Sequence, residues 1–587
     1  MALSTPSASP AVVVKEIDLT GGVPNVQSTT GAIVGNYRWG PAETRVLIDN
    51  EATLVNTFAS PDSANTIDFH SAVYFLRYSG SLYVTREVTS SALNARSTRG
   101  QLSTDSDGNL PTELVKNEQD WEAQKAALDS DSHTFVARYP GQLGNSLQVS
   151  ILGADSASST TFTNWTYASE FDAAPGTSDY ASNRNATNDE AHIVVIDKEG
   201  EFTGTKGTVL ERYPFVSIAE DAKNADGTTN YALDIINNRS DYVWMVDWDS
   251  DFQVARGNGL VDSGDNFAAN VGSDTDFNFA QGANSAALGT TEYLSGYDLY
   301  EDKDIVEIDF LIAPSMNSRV DQTTVVNDLI TTAQSLRKDC VVTASPARTD
   351  VLGLTNTATM TTNIVTTANT FTNSSYLVND GNFLKIYDKY NDQYINIPAA
   401  SSTAGIMAAT DLNRAPWFSP AGSRRGQYLG ITSIAYSPTK TQRDTLYKAS
   451  VNPIANIPGQ GVLLFGDKTK LGRPSAFDRI NVRRLFLVLE RAIGRAAEQV
   501  MFEFNDEFTR AEFVNIVEPV LREVQGRRGI TDFRVVCDET NNTPAVVDRN
   551  EFIANIFIKP ARSINYVTLN FVAVRTGVDF EEVVGTV

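Results

Sequence analysis

Residues 305–314, Ile-Val-Glu-Ile-Asp-Phe-Leu-Ile-Ala-Pro, form an apolar run that ends at a proline. Residues 322–337 then carry a helical pattern, and Cys340-Val341-Val342 begins a second apolar run. We predict a strand, a helix and a strand in this order. Strands joined through a helix pair in parallel, so this unit predicts an α/β domain built on a parallel sheet.

The segments before this unit supply further parts of the same domain and a large insertion. We predict a buried strand at 31–35, helices at 51–58 and 71–76, and a strand at 81–86. From about residue 89 to residue 300, Ser, Thr, Asn, Asp and Gly dominate, with short apolar runs such as 191–196. This texture predicts a β-rich surface insertion with long loops.

Two segments after the unit differ in character. The Thr- and Asn-rich stretch 355–375 is predicted to be a loop or an extended linker. The last part of the chain reads as a compact α+β unit. There, Thr509-Arg510-Ala511-Glu512 is a capping box that opens a helix ending near Gly526, and strands follow at 533–536 and 552–557. Pro519 lies inside this helix and is expected to kink it.

An amphipathic helix is predicted at 479–500, with Asp478 as its N-cap. Its apolar positions recur at three- and four-residue spacing: Val482, Phe486, Leu489, Ile493, Ala496 and Val500. Arg484, Arg491 and Arg495 fall within about 40° of one another on the opposite face. This face is either an ordinary solvated surface or a site for a partner's carboxylates, which guanidinium binds in a bidentate way.

Both ends of the chain look like β-strands without a local partner. The N-terminal run is Val12-Val13-Val14-Lys15-Glu16-Ile17, followed by Gly21-Gly22. The C-terminal segment has a strong strand at 567–574, a break at Gly577, and the run Val578-Asp579-Phe580-Glu581-Glu582-Val583. Strands must pair their N–H and C=O groups, so tethered terminal strands favour pairing with another molecule. This indicates a polymer subunit.

Composition excludes several classes of protein. The 587 residues exceed one usual core, which predicts three or four domains. The net charge of −25 argues against nucleic-acid binding, and the acidic excess lies almost entirely before Gly459. No run approaches the roughly 18 apolar residues of a membrane helix, and the N-terminus lacks the pattern of a signal peptide. The two cysteines, Cys340 and Cys537, fit a reducing cytosol.

The sequence offers no convincing catalytic, cofactor or metal site. Residues 461–469, Gly-Val-Leu-Leu-Phe-Gly-Asp-Lys-Thr, nearly spell a phosphate-binding loop, but Asp467 interrupts it and the bulky residues favour a strand. His70, His133 and His192 sit in no motif that would supply a general base, and each is read as a surface or packing histidine. Residues 105–109 and 247–251 resemble calcium loops but lack the later glycine and acidic ligand, so they are read as solvated turns.

The chain resembles the tail sheath proteins of contractile-tailed bacteriophages (myoviruses). The resemblance rests on matches at both ends and in the middle of the chain. These are residues 9–18, where Ala11 replaces a usual glycine, and residues 36–42, 137–146, 404–411, 416–422, 459–461, 481–485 and 537–544.

The resemblance implies a non-enzymatic subunit with a mixed α+β multidomain fold. It implies an N-terminal linking arm at 1–25, an α/β, subtilisin-like but non-catalytic middle domain at 26–90 and 301–435, and an outer β-rich insertion with a β-sandwich at 91–300. An inner α+β domain at 436–575 and a C-terminal linking arm at 576–587 complete it. Such subunits form hexameric rings stacked around a tail tube, exchange terminal strands with neighbours, and contract to drive the tube through the host envelope.

These implications set the expected partners: further copies of the chain, the tail tube protein, and baseplate and tail terminator proteins. The expected location is the virion, after assembly in the host cytoplasm. The arginines of the 479–500 helix are the candidate tube-facing surface. Two alternatives stay open: the sheath of a contractile injection system outside phages, and a nucleotide hydrolase that uses Lys468.

Overall fold

The computed structural model describes residues 28–98, 114–125, 135–154, 158–248, 259–268 and 276–565. The strands are β1 (Gly31–Gly35), β2 (Arg45–Ile48), β3 (Leu82–Arg86), β4 (Arg96–Thr98), β5 (Phe135–Ala137), β6 (Leu147–Gly153), β7 (Glu190–Asp197), β8 (Thr208–Ser217), β9 (Val243–Met245), β10 (Asp276–Ala280), β11 (Phe310–Ile312), β12 (Val341–Ala344), β13 (Leu377–Asn379), β14 (Phe383–Asp388), β15 (Gln393–Pro398), β16 (Ser433–Ile434), β17 (Ile454–Ile457), β18 (Gly461–Leu464), β19 (Ile530–Val536) and β20 (Asn555–Pro560). The α-helices are α1 (Glu51–Phe58), α2 (Thr66–Leu76), α3 (Glu118–Gln124), α4 (Ser158–Asn164), α5 (Asp179–Ser182), α6 (Ala232–Arg239), α7 (Thr290–Asp298), α8 (Arg319–Thr331), α9 (Arg348–Val351), α10 (Thr357–Thr370), α11 (Ala400–Asn413), α12 (Lys440–Lys448), α13 (Ile480–Glu498), α14 (Glu507–Gly526) and α15 (Pro544–Val547).

A six-stranded sheet organises the larger part of the chain, with the order β13-β12-β11-β1-β3-β2. The pairs β1–β11, β11–β12, β12–β13 and β1–β3 are parallel, and only β2 runs antiparallel on its neighbour. The predicted strand–helix–strand unit is therefore confirmed. Its first strand is shorter than predicted, because Ile305 is exposed and only Phe310–Ile312 pairs in the sheet.

The stretch predicted as a loop at 355–375 is instead a helix, α10, so that prediction is wrong. Asn356 caps the helix by accepting from the N–H groups of Ala358 and Thr359. Threonine has low helix propensity, and that propensity led to the error. Burial overrides it here, because one face of α10 packs into a core through Met360, Thr361, Ile364, Thr367 and Ala368.

The insertion is β-rich, as predicted. Its described strands form one antiparallel sheet with the order β8-β7-β6-β10-β4-β5-β9. Arg86, at the end of β3, is buried and donates to the carbonyl oxygens of Tyr37, Gly40 and Pro140 at 2.9, 2.6 and 2.6 Å. One side chain thus fixes the loop after β1 to the loop after β5 of the insertion.

The chain divides into two compact units. The larger unit spans residues 26–416 and 420–483, and it also contains the three-stranded sheet β15-β14-β16 and the hairpin β17–β18. The smaller unit comprises residues 1–25, 417–419 and 484–587, and its described part contains α14, α15, the hairpin β19–β20 and α13 from Arg484 onward. The whole is a mixed α/β protein with several sheets.

The predicted helix and strands of the last α+β unit are present, with shifted boundaries. The helix α14 begins at Glu507, and Asp506 caps it by accepting from Thr509 N at 2.9 Å. Thr509 therefore lies inside the first turn and is not the cap. Pro519 lies within the helix as predicted.

Candidate assembly surfaces

Helix α13 confirms the amphipathic prediction with a broader buried face than expected. Val482, Leu489 and Ala496 are buried as predicted, whereas Phe486, Ile493 and Val500 are half-buried. Leu485 and Ala492 are buried in addition. The helix begins at Ile480, and Asp478 lies in a short 3-10 turn just before it.

The three arginines predicted to share an exposed face differ in accessibility. Arg484 is only 4% exposed, whereas Arg491 and Arg495 are half-buried. A buried guanidinium offers little surface to a partner, so Arg491 and Arg495 are the members of the trio that a partner can reach. The tube-facing role of these arginines stays a prediction.

The loop between α13 and α14 presents a group of apolar side chains to solvent. We call residues 501–508, which run from this loop into the first turn of α14, the aromatic loop. Phe502 is fully exposed, Phe504 is 83% exposed, Phe508 is 76% exposed, and Met501 is also exposed. The sequence did not lead us to this group, although three phenylalanines within seven residues, placed between two amphipathic helices, were the available signal. Contiguous exposed apolar patches mark interaction sites in soluble proteins.

The hairpin β19–β20 forms a two-stranded antiparallel sheet, with register from Ile530↔Pro560 to Val536↔Asn555. Residues of β20 alternate between exposed and half-buried, and Arg534 and Phe557 form an exposed cross-strand pair. Within the described residues, both outer edges of this sheet lack a paired strand. An isolated two-stranded sheet is only marginally stable in water. This hairpin therefore depends on its packing against α14, and pairing with further strands would stabilise it more.

Side chains beyond the strands hold the hairpin in place. Asn542 donates to Ile553 O at 2.8 Å and accepts from Ile553 N at 2.9 Å, which closes the connection between the two strands. Trp417 donates from Nε1 to Arg527 O at 3.1 Å, beside the start of β19. These hydrogen bonds hold the hairpin in place within the smaller unit.

The predicted arm residues lie outside the described residues. They are Val12, Val13, Val14, Lys15, Glu16 and Ile17 at the N-terminus and Val578, Asp579, Phe580, Glu581 and Val583 at the C-terminus. Strand exchange by these segments stays a prediction.

The segment that nearly matches a phosphate-binding loop folds as part of the hairpin β17–β18. Gly461–Leu464 is a strand, and Asp467 Oδ1 lies 2.9 Å from Arg479 Nη1. Lys468 Nζ donates to Tyr447 O at 2.8 Å, and its backbone N–H donates to Asn452 Oδ1. Burial and the Arg479 guanidinium lower the pKa of Lys468. The lysine is engaged in holding its own loop, so these residues form no cradle for phosphates.

The two described histidines are packing residues. His70 lies 3.0 Å from Asp388 Oδ1, and His192 stacks on Phe171 with ring centroids 4.2 Å apart. Burial lowers the pKa of both imidazoles, although Asp388 opposes this at His70. His133 lies outside the described residues.

Two further kinds of site are absent from the described ranges. These ranges contain no group of three or more His, Cys, Asp or Glu side chains placed to hold a metal ion. No helix in those ranges is long and apolar enough to cross a membrane. Cys340 and Cys537 are buried free thiols.

Comparisons with known proteins agree with the architecture. The family model "Phage tail sheath protein central domain" matches residues 286–470, and "Phage tail sheath C-terminal domain" matches residues 473–573. A tail sheath protein of Enterobacteria phage T4 is 31% identical over 98% of this chain and 99% of its own length. A tail sheath protein of Vibrio phage KVP40 is 40% identical over 53% of this chain and 48% of its own length.

Among solved structures, the crystal structure of a sheath tail protein from Listeria innocua is similar in fold. The TM-score is 0.54 at 13% identity, and the match covers 92% of this chain and 93% of the other. The near full-length match to the T4 protein and the two domain matches establish the family. The chain belongs to the phage tail sheath proteins and is a structural subunit of a contractile tail sheath.

Proposed function

We propose that this subunit assembles into hexameric rings stacked around a tail tube, and that the stack shortens to drive the tube through the host envelope. The subunit is a virion component; we propose that it assembles in the host cytoplasm, with the tail tube, baseplate and tail terminator proteins as partners. Work is stored as a difference in interface between two states of the polymer, which requires no nucleotide. The engaged Lys468 supports a mechanism without a phosphate-binding loop.

The observation that carries the proposal is the two-stranded sheet β19–β20. Its outer edges are unpaired within the described residues, and α14 supports one face. Backbone N–H and C=O groups at such an edge are a template for a strand from another chain. Arms at 1–25 and 576–587 of neighbouring subunits would supply those strands, and a 20-residue arm can reach about 66 Å when extended.

The remaining domains take supporting roles in the proposal. Residues 26–90 and 301–435 form the middle domain with a subtilisin-like, non-catalytic fold, and the parallel sheet supports this assignment. Residues 91–300 form the outer insertion, whose described strands lie in one seven-stranded sheet, and residues 436–575 form the inner domain. Arg491 and Arg495, with Arg484 beneath them on the same helix, face the tube through ion pairs weak enough to be released.

The arms provide the test. Deleting residues 1–18 should leave a folded chain that forms no sheath-like rods in negative-stain electron microscopy. A single substitution sharpens this, because Val13→Pro removes a backbone donor from the strand, whereas Val13→Thr keeps the donor and the β-propensity. We expect rods from Val13→Thr and few or none from Val13→Pro. Rods from the deletion would contradict strand exchange by the N-terminal arm.

A further inference from the structure

The aromatic loop, residues 501–508, is the strongest feature that the proposed function leaves unused. Phe502, Phe504 and Phe508 expose most of their side chains, and Met501 lies beside them. A Phe side chain carries roughly 150–250 Å² of surface. Three of them carry roughly 450–750 Å², which is more than half of the roughly 800 Å² that each partner contributes to a standard interface. This is enough for the centre of an interface.

Hydrogen bonds of Asn505 and Asp506 tie the loop to α14 and to the segment before β20. Asn505 accepts from Arg510 Nη1 at 2.8 Å and donates to Glu551 O at 2.8 Å. Asp506 N donates to Phe504 O at 2.9 Å, and the Asp506 carboxylate caps α14. The phenylalanines therefore flank a tethered segment, and such restraint lowers the entropy that is lost on binding.

The backbone conformation of Phe502 is a second indication that the loop serves binding. Its φ is 70°, in the left-handed region that a bulky residue adopts only at a cost. A strained backbone that also leaves an aromatic ring in water stabilises nothing in the single chain. Such outliers persist where the strained residue serves a binding site.

The charges around the loop identify the kind of surface it fits. Residues 498–508 contain Glu498, Glu503, Asp506 and Glu507 and no lysine or arginine. The matching surface is an apolar pocket with a basic rim. Outside 498–508, residues 484–587 of the smaller unit carry 12 basic and 12 acidic residues, whereas the larger unit carries 34 and 54. Exposed arginines such as Arg528 and Arg534 lie in the smaller unit. Of the two units, the smaller unit should therefore repel the acidic loop of a second copy least.

We propose that the aromatic loop docks on the smaller unit of a second copy of this chain and forms a contact separate from strand exchange. The inference rests on the proposed polymer. It adds a side-chain contact that fixes the relative position of neighbouring subunits. Pairing with the arms, by contrast, uses backbone groups and depends little on side-chain identity.

A photo-cross-linking experiment tests the contact directly. A benzophenone-bearing phenylalanine analogue replaces Phe502 in the full chain, and an equal mixture of ¹⁴N- and ¹⁵N-labelled chains is irradiated. We expect mixed-isotope dimers, with cross-linked peptides from residues 484–587 of the second chain. The same analogue at Tyr387, an exposed tyrosine of the larger unit, is the control, and it should give at least fivefold fewer such dimers. Cross-links confined to one isotope would show a contact within a single chain and would overturn the inference, as would cross-links to residues outside 484–587.

A substitution pair separates this inference from the proposed function. We expect Phe502→Ser with Phe504→Ser to reduce the yield of rods at least tenfold in electron microscopy and sedimentation. Leu47→Ser with Leu412→Ser removes two exposed leucines of the larger unit and should leave the yield unchanged. Normal rods from the phenylalanine variant would overturn the inference and leave the proposed polymer standing. If the wild type forms no rods, the proposed function fails, and the cross-linking result still decides the contact.

Discussion

Arg479 Nη1 lies 2.9 Å from Asp467 Oδ1, so the residue that interrupts the phosphate-loop-like sequence is one half of an ion pair. Arg479 also donates to the Tyr447 hydroxyl at 2.6 Å. The pair ties the segment before α13 to the hairpin β17–β18. Asp467 therefore has a structural role in this ion pair, and its presence does not require a nucleotide site.

Asp467→Ala should destabilise the larger unit, because it removes the nearer and more buried of the two carboxylates that pair with the Arg479 guanidinium. Hydrogen bonds to charged groups contribute about 2 kcal/mol each, and we expect a loss of this size in urea unfolding followed by fluorescence. Asp532→Ala is the control, since it breaks the exposed pair with Lys559 and should leave the unfolding midpoint unchanged. Equal midpoints for the two variants would contradict the structural role of Asp467.

Asn356→Ala should weaken α10 by removing its cap. The side chain accepts from Ala358 N and Thr359 N at 2.9 and 3.3 Å, and loss of an N-cap costs about 1 kcal/mol. Asn356→Asp keeps the acceptor and serves as the matched control. The measurement is the thermal midpoint of the larger unit. A midpoint for Asn356→Ala equal to that of Asn356→Asp would show that burial alone holds the helix.

Asp380→Asn should change how stability depends on pH. Asp380 accepts from Ser345 Oγ at 2.9 Å and Thr403 Oγ1 at 3.3 Å, and burial raises its pKa to about 7. The folded state therefore holds a proton that the unfolded state releases near pH 4, so stability falls as pH rises from about 4 to about 7.

We expect the thermal midpoint of the wild type to fall between pH 5 and pH 8 by at least about 2 °C more than that of Asp380→Asn. The amide keeps an acceptor oxygen without gaining charge, so the variant should lose this part of the pH dependence. Identical pH profiles would mean that the carboxyl titrates alike in both states.

Arg491→Glu with Arg495→Glu should impair assembly on tail tubes while leaving spontaneous polymerisation intact. These two side chains are the accessible members of the arginine trio, and reversing their charge turns attraction to a partner's carboxylates into repulsion. The comparison is the sheathed fraction of purified tubes against rod yield without tubes, both by electron microscopy.

Arg522→Glu with Arg549→Glu is the matched control, because both arginines are exposed in the same unit and neither belongs to a proposed contact. Arg484→Glu is unsuitable, since a buried carboxylate at this position would disturb folding first. Equal loss of tube-bound and spontaneous assembly in Arg491→Glu with Arg495→Glu would assign these residues to contacts between subunits or to folding.

The elements that could be predicted are those with a strong local pattern. The strand at 31–35, the helix at 51–58 and the amphipathic helix near 480–498 each carry a period or an apolar run that few other structures satisfy. The threonine-rich helix α10 could not be predicted in this way. Its stability comes from a buried face and from Thr367, whose hydroxyl contacts Asp350 and Arg319.

The sequence by itself determined the parallel α/β unit and the β-rich insertion, because periodicity and residue type are local properties. Only the tertiary structure decided that Arg484 is buried, that Lys468 bonds its own loop, and that three phenylalanines face solvent. Accessibility depends on which distant segments pack against a residue. The neighbouring sequence of Arg484 or of Phe502 therefore does not reveal whether the side chain is buried or exposed in the fold.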